Sequence, residues 1–254
     1  MEISDICPHC GRPIIKETIP FMGEVAIKCP CRVEKEKTED KNAAEMSKRI
    51  NSENNLQIFM SNPDIGERYR DKDFQNFQVT EENKKSYDGC VSFVQKFKRY
   101  LSAGYGIILV GGYGCGKTHL EVSVAKELLK NGYSVSFKKT INFYNEYKNA
   151  ASWKNDDEVN GFVNRVSKSD LLILDDLVGV DDMGNNTSYE QFLYQIIDER
   201  YIQKKPLLIS TNIPSDMMNR KFTPRIFDRL TAMTSRINNR AGSYRSVEKK
   251  NSLA

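Results

Sequence analysis

An eight-residue run, Gly111-Gly112-Tyr113-Gly114-Cys115-Gly116-Lys117-Thr118, constrains this chain more than any other part of it. It fits G-x-x-x-x-G-K-[ST], a glycine-rich loop whose backbone N–H groups wrap a phosphate chain. The flanks agree. Gly106-Ile107-Ile108-Leu109-Val110 just before it has the length and apolar character of a buried strand. Just after it, Leu120, Val124 and Leu128 recur every fourth residue, with Ala125 and Leu129 beside them and Asn131-Gly132 as a stop signal. That spacing predicts an amphipathic helix. Strand, loop and helix in this order aim main-chain N–H groups and the positive end of a helix at one point. The glycines let the backbone close on phosphate, Lys117 reaches the β- and γ-phosphates, and the Thr118 hydroxyl can ligate Mg²⁺. His119 belongs to the start of the helix. The consequence is a nucleotide site.

The chain has 254 residues, room for one large domain or a medium one with a small module. With 39% hydrophobic and 28% charged residues its composition suits a soluble protein. No apolar run reaches membrane-span length, and Met1-Glu2-Ile3-Ser4-Asp5 is no signal-peptide start. A cytoplasmic location without membrane contact is expected. Thiols stay reduced there, so six cysteines point to metal binding or free thiols before disulfides. The net charge of +4 is unevenly spread, because residues 219–254 carry nine Lys/Arg against two Asp/Glu. Such a segment can meet nucleic acid or a neighbour's nucleotide, or remain a solvated terminus.

Residues 1–33 read as a compact cysteine-bearing module. Residues 34–64 turn polar and charged and are expected to form one or two exposed connecting helices, with Leu56 to Met60 an apolar island. The main domain is expected over 65–254. Its first part, to about residue 80, looks irregular, and 81–101 looks helical with Val91, Val94, Phe97 and Leu101 on one face. Strands and helices then alternate, which predicts an α/β fold with a parallel sheet and covering helices. Tyr133 to Phe137, Leu171 to Leu174 and Leu207 to Thr211 are the further strands. Thr140 can cap a helix carrying Phe143, Tyr144 and Tyr147, and Thr187-Ser188-Tyr189-Glu190 has capping-box spacing ahead of Phe192, Leu193, Ile196 and Ile197. Thr223-Pro224, a cap followed by proline at the first helical position, predicts a short helix over 224–233.

Asp175-Asp176 follows four apolar strand residues. At the C-terminal edge of a parallel strand, one carboxylate can hold Mg²⁺ and the next can orient or deprotonate an attacking water. Asn212 ends the following strand, where an amide can touch both γ-phosphate and that water; a polar turn ahead of Pro214 is the plainer alternative. Arg225 and Arg229 lie four apart on the helix over 224–233, hence on one face. They either face solvent or offer a cation to a neighbour's nucleotide.

Cys7-Pro8-His9-Cys10 and Cys29-Pro30-Cys31 place a Cys-x-x-Cys and a Cys-x-Cys eighteen residues apart. Four thiolates suit a closed tetrahedral Zn²⁺ site, and a module this small gains most of its stability from such a staple. Disulfides or free thiols are the alternatives, since the second pair is one residue tighter than usual. Cys90 and Cys115 have no partner pattern.

Together these parts resemble the DnaC/DnaI helicase loaders of the AAA+ ATPases and their relatives, the IstB transposition helpers. The resemblance runs from about Ile65 to Arg245. It is carried by Arg68-Tyr69-Arg70, Phe74-Gln75-Asn76-Phe77, the glycine loop, the paired aspartates, Ile209 to Asn212, Arg225 to Leu230 and Ser243-Tyr244-Arg245. It implies an AAA+ core that binds ATP with Mg²⁺, self-associates side by side, and uses Asn212 as sensor 1, Arg229 as the arginine finger and Arg245 as a sensor-2-like arginine. It places 65–77 against the adenine. ATP rather than GTP also fits Asn83-Lys84-Lys85-Ser86, which lacks the aspartate of a guanine-reading motif. The resemblance further implies a hexameric DnaB-like replicative helicase as partner of the cysteine module, which IstB-type proteins generally lack. Single-stranded DNA would lie along 138–168, where Lys138, Lys139, Lys148, Lys154 and Trp153 could give phosphate and stacking contacts or be ordinary surface residues.

Overall fold

The computed structural model describes residues 6–7, 9–12, 14, 16–21, 23–26, 29–152, 161, 168–184 and 186–244. The chain divides into two compact units, Met1–Asn51 and Ser52–Ala254. The first holds an antiparallel pair, β1 (Lys16–Ile19) and β2 (Gly23–Ala26), in register from Lys16 opposite Ala26 to Ile19 opposite Gly23. The connector expected over 34–64 is a single helix up to Met60, α1 (Pro30–Met60). Among the described residues no helix is long and apolar enough to cross a membrane.

The second unit is built on five parallel strands in the order β4 (Val135–Lys139), β5 (Leu171–Leu177), β6 (Leu207–Thr211), β3 (Gly106–Gly111) and β7 (Thr234–Asn239). The apolar runs seen in the sequence are its centre, and their alternate residues go to opposite faces. Ile108, Val110, Leu172, Leu174, Leu207 and Ile209 join one core; Ile107, Leu109, Leu171, Ile173 and Leu208 join the other. The first core is closed by α5 (Thr140–Ser152), α6 (Thr187–Ile202), the short α7 (Met218–Lys221) and α8 (Pro224–Met233), through Phe143, Phe192, Ile196, Met218, Ile226 and Leu230. The second is closed by α2 (Lys84–Gln95), α3 (Phe97–Ala103) and α4 (Lys117–Lys130), through Phe93, Phe97, Leu120, Val124 and Leu128. Each Leu, Ile or Phe so buried contributes roughly 1.5–3 kcal/mol relative to exposure, and this is what holds the three layers together.

Several local expectations change. The helix expected over 81–101 breaks at Lys96, whose φ −106°, ψ 15° is not helical. The inward face of α2 is Ser86, Cys90 and Phe93 rather than Val91 and Val94, which are half-buried. The strand expected over 133–137 runs two residues later, as β4. Thr140 does not cap α5: its buried hydroxyl donates to the Asp175 carbonyl at 3.1 Å, tying the start of α5 to β5. The cap of α6 is Asn186, whose side-chain oxygen accepts from the N–H groups of Ser188 and Tyr189 at 3.0 and 3.1 Å. Thr223 does precede α8, with Pro224 at the first position, but its hydroxyl makes no capping bond.

β7 has no counterpart in the sequence reading. Thr234-Ser235-Arg236-Ile237-Asn238-Asn239 has no apolar run and little alternation, yet it pairs with β3 from Gly106 to Gly111. Its pairing brings Asn239 beside the glycine loop, where the side-chain amide donates to the Cys115 carbonyl at 3.0 Å.

Candidate nucleotide site

The loop between β3 and α4 lies at the C-terminal edge of the sheet, where parallel strands leave a crevice for ligands. Gly114 and Gly116 hold φ of 74° and 95°, the left-handed region that side chains rarely adopt. A β-carbon on Gly116 would stand 2.8 Å from the Phe77 ring, and one on Gly114 would meet the Ser243 hydroxyl. Both glycines are therefore required by backbone angle and by close neighbours. Tyr113, Gly114, Gly116, Lys117, Thr118 and His119 line a cleft of about 520 Å³. The Gly111 and Gly112 carbonyls accept from the Lys117 ammonium, each at 2.8 Å, and the Cys115 thiol is wholly buried.

Across the cleft stand the ends of β5 and β6. Neighbours on a strand ordinarily point to opposite faces, but the β5–β6 register shifts between Leu174 and Leu177. Asp176 there takes φ 57°, a conformation costing roughly 1–2 kcal/mol in a non-glycine residue. Its strain is offset by two bonds: its N–H donates to Ser210 Oγ and its carboxylate accepts from Asn212 Nδ2, each at 2.9 Å. The irregularity separates two jobs. Asp175 is buried, accepting from the Thr118 and Ser210 hydroxyls at 2.9 Å each. Asp176 is exposed to the cleft. Lys117 completes the line by donating to Asn212 Oδ1 at 2.7 Å. A hydroxyl and a carboxylate 2.9 Å apart are the hard oxygen donors that Mg²⁺ favours, so Thr118 and Asp175 fit that ion.

The segment before α2 forms the opposite wall, with Arg68, Tyr69, Asn76 and Phe77 among its lining residues. It is pinned to α4 by His119, whose Nε2 donates to the Asp73 carbonyl at 2.8 Å and whose ring meets Phe77 edge-on at 5.0 Å. Burial pushes the His119 pKa down. Tyr244 closes the cleft from the C-terminal side: its N–H donates to the Gly114 carbonyl at 3.0 Å and its hydroxyl to the Gln78 carbonyl at 2.7 Å. Arg245 lies outside the described residues, as do Lys154 and Trp153.

Several further residues stand differently from a bare reading of the sequence. Arg229 does not line this chain's own cleft; it pairs with Asp198 at 2.8 Å and stacks on Tyr201 at 4.6 Å. Lys138 is paired with Glu146 at 2.6 Å and Lys148 sits over the Tyr144 ring at 4.9 Å, while Lys139 lines the cleft. Glu121, one turn beyond Lys117 on α4, is wholly buried beside Asp175 and Ser210. Burial, then the Asp175 charge, pushes its carboxyl well above the usual range. The sequence signal for it was a lone acid inside the otherwise apolar inner surface of α4.

In the first unit the four sulfurs of Cys7, Cys10, Cys29 and Cys31 lie within 4.8 Å of one another. Three separations are 3.4–3.5 Å, near the edge of roughly 3.8 Å for a tetrahedron of 2.3 Å Zn–S bonds. All four are free thiols, and backbone N–H groups of His9 and Cys10 lower the Cys7 pKa to about 6. The set could hold a zinc ion.

The sheet order and this cleft define a nucleotide-binding domain of the AAA+ P-loop class. A solved structure of the DnaC helicase loader shares the fold, with TM-score 0.59 and 22% identity, covering 68% of this chain and 99% of that one. The chain belongs to the family of IstB-like ATP binding proteins, whose sequence profile matches residues 46–252. It is 32% identical over 123 residues to a putative insertion sequence ATP-binding protein of Sinorhizobium fredii, covering 48% of this chain and 39% of that protein. The chromosomal replication initiator DnaA of Borrelia duttonii is 26% identical over 199 residues, 77% of this chain and 38% of that protein. The replicative helicase loader DnaI of Bacillus subtilis is 24% identical over 180 residues, 70% of this chain and 56% of that protein. The chain thus spans about two fifths of the length of the first two relatives.

Proposed function

We propose that this chain is an ATP- and Mg²⁺-dependent ATPase that loads a hexameric DnaB-like replicative helicase onto single-stranded DNA in the cytoplasm. The observation that carries the reading is the unbroken line Lys117–Asn212–Asp176 across one cleft. Lys117 would hold the β- and γ-phosphates, Asn212 the γ-phosphate and the attacking water, and Asp176 would orient or deprotonate that water. Mg²⁺ held by Thr118 and Asp175 would neutralise charge developing on the phosphates. Tyr69 and Phe77 offer aromatic surface to the base. Arg229, lying away from its own cleft, would serve a neighbour's, so hydrolysis would require side-by-side assembly. The helicase would be bound through residues 1–60 or so, the cysteine-bearing module over 1–33 and most of the linker over 34–64, with 65–254 as the ATPase core. The four cysteines precede the IstB-like match, which begins at residue 46. The relatedness to DnaI supports this choice.

A second reading has its own support. The family match and the insertion-sequence relative favour an ATPase that assists a transposase. Full-length protein, with ATP, is incubated with a DnaB-like helicase and separately with an insertion-sequence transposase. Stable capture of the helicase, lost in Lys117→Ala, is the expected result. Capture of the transposase alone would replace the first reading by the second. Unchanged ATP turnover in Lys117→Ala would sink both.

A further inference from the structure

β7 ends in Asn239, which is only 4% exposed although it carries an amide. Both ends of that amide are in use. Its oxygen accepts from the Ala241 N–H at 3.1 Å, and its nitrogen donates to the Cys115 carbonyl at 3.0 Å. The Ala241 N–H can only donate and the Cys115 carbonyl can only accept, so one orientation of the amide satisfies both. Asn239 also stands opposite Gly111, the first glycine of the phosphate loop. A β-carbon on Gly111 would lie 2.7 Å from the Asn239 carbonyl oxygen, so the two backbones are in close contact. One residue earlier in the loop, the Gly114 carbonyl accepts from the Tyr244 N–H at 3.0 Å. Two successive carbonyls of the loop are thus held by the segment 239–244.

In a planar trans peptide the carbonyl and the following N–H point in opposite directions. Holding the Cys115 carbonyl therefore turns the Gly116 N–H away from Asn239, and holding the Gly114 carbonyl does the same for the Cys115 N–H. We propose that Asn239 is a positioning residue for phosphate binding, fixing the Cys115–Gly116 peptide so that the Gly116 N–H is aimed at the phosphate chain before the ligand arrives. The inference rests on the nucleotide-site reading above. Lys117 brings the charge, and Asn239 brings preorganisation. A donor already aimed at an anion needs no reorientation when the anion binds. Without the amide this peptide is free to rotate, and the site loses one charge-assisted hydrogen bond. The group recognised is the diphosphate part of the nucleotide, whatever its base. An apolar side chain of similar size fills the same space and cannot hold the carbonyl.

The test is calorimetric titration of the full-length protein with ADP and, separately, with inorganic tripolyphosphate. It is run at a temperature where circular dichroism shows each variant folded. A hydrogen bond to a charged group is typically worth about tenfold or more in affinity. Asn239→Leu should therefore weaken ADP and tripolyphosphate by the same factor, about tenfold or more. A loss confined to ADP would place the effect at the base and overturn the proposal. Wild-type affinity for both ligands would overturn it too, because a role in stability alone lowers the melting temperature and leaves the folded protein's affinities unchanged. If Asn239→Leu fails to fold, Asn239→Ala, which leaves space instead of crowding, is judged by the same two outcomes. Wild-type protein that binds neither ligand would refute the nucleotide-site reading itself, a result independent of any variant.

Discussion

The Lys117 ammonium donates to the side-chain oxygen of Asn212 across 2.7 Å, joining the glycine loop of β3 to the end of β6. The two residues are ninety-five positions apart: Lys117 opens α4, which follows β3, and Asn212 follows β6, the strand paired with β3. Asn212 passes the connection on through its nitrogen to Asp176. A ligand that draws Lys117 away would release Asn212 from its present bond, which would link the phosphate and water roles proposed for these residues.

Asp176→Asn should keep ATP binding and lose turnover by about 10²-fold or more, the usual loss when a general base is removed. Asn212→Ala should reduce turnover with nucleotide affinity changed little, since the phosphates keep Lys117. Single-turnover hydrolysis beside equilibrium binding separates the two effects. Normal turnover in Asp176→Asn would assign activation of the water to another group.

Arg229 can serve a neighbour only by leaving Asp198. Arg229→Ala should bind ATP normally and hydrolyse it slowly. Adding Lys117→Ala protein, itself inactive, should restore turnover, because it offers an intact Arg229 to an intact cleft. An equimolar mixture that stays inactive would count against a role in trans.

The sulfurs of Cys7, Cys10, Cys29 and Cys31 should hold about one zinc ion per chain, released by thiol modification and followed with a colorimetric zinc indicator. Joint substitution of Cys7 and Cys10 by serine should abolish it. Wild-type protein prepared under reducing conditions without zinc would favour free thiols.

Asn186→Ala should cost about 1 kcal/mol of stability, the usual worth of a side-chain N-cap, whereas Thr187→Ala should cost much less. Urea midpoints at constant slope distinguish them. Equal losses would return the cap to Thr187.

His119 gives a pH dependence whose sign follows from its lowered pKa. Unfolded chains take up the imidazole proton near pH 6.5, and the folded chain does so only at lower pH. Its stability contribution is therefore complete above about 6.5 and falls as pH drops through the folded value. The urea midpoint of the wild type should decline more steeply between about pH 7.5 and 5.5 than that of His119→Asn. Parallel declines would remove His119 as the cause.

Much of this was legible in the chain. The glycine loop, the strand over 207–211 and the helix over 224–233 carry their signals within a few residues. Periodicity records which side chains avoid water, and glycine and proline record which backbone angles are needed. Asp175, Asp176 and Asn212 could be placed at strand ends for the same reason.

What the sequence by itself determined was therefore a parallel α/β domain around a phosphate loop, with a cysteine cluster before it. Only the tertiary structure decided which groups meet. Thr234 to Asn239 is a strand because β3 offers it a free edge, a property of the sheet rather than of those six residues. Asp176 takes a left-handed backbone conformation where the ladder slips between Leu174 and Leu177, and no pattern of neighbours encodes that slip. Glu121 looks like any helical acid until packing on β5 and β6 removes it from water. Apolar burial is a one-body preference that local sequence expresses directly. A hydrogen bond needs two partners within about 3 Å, and only the folded chain brings them there.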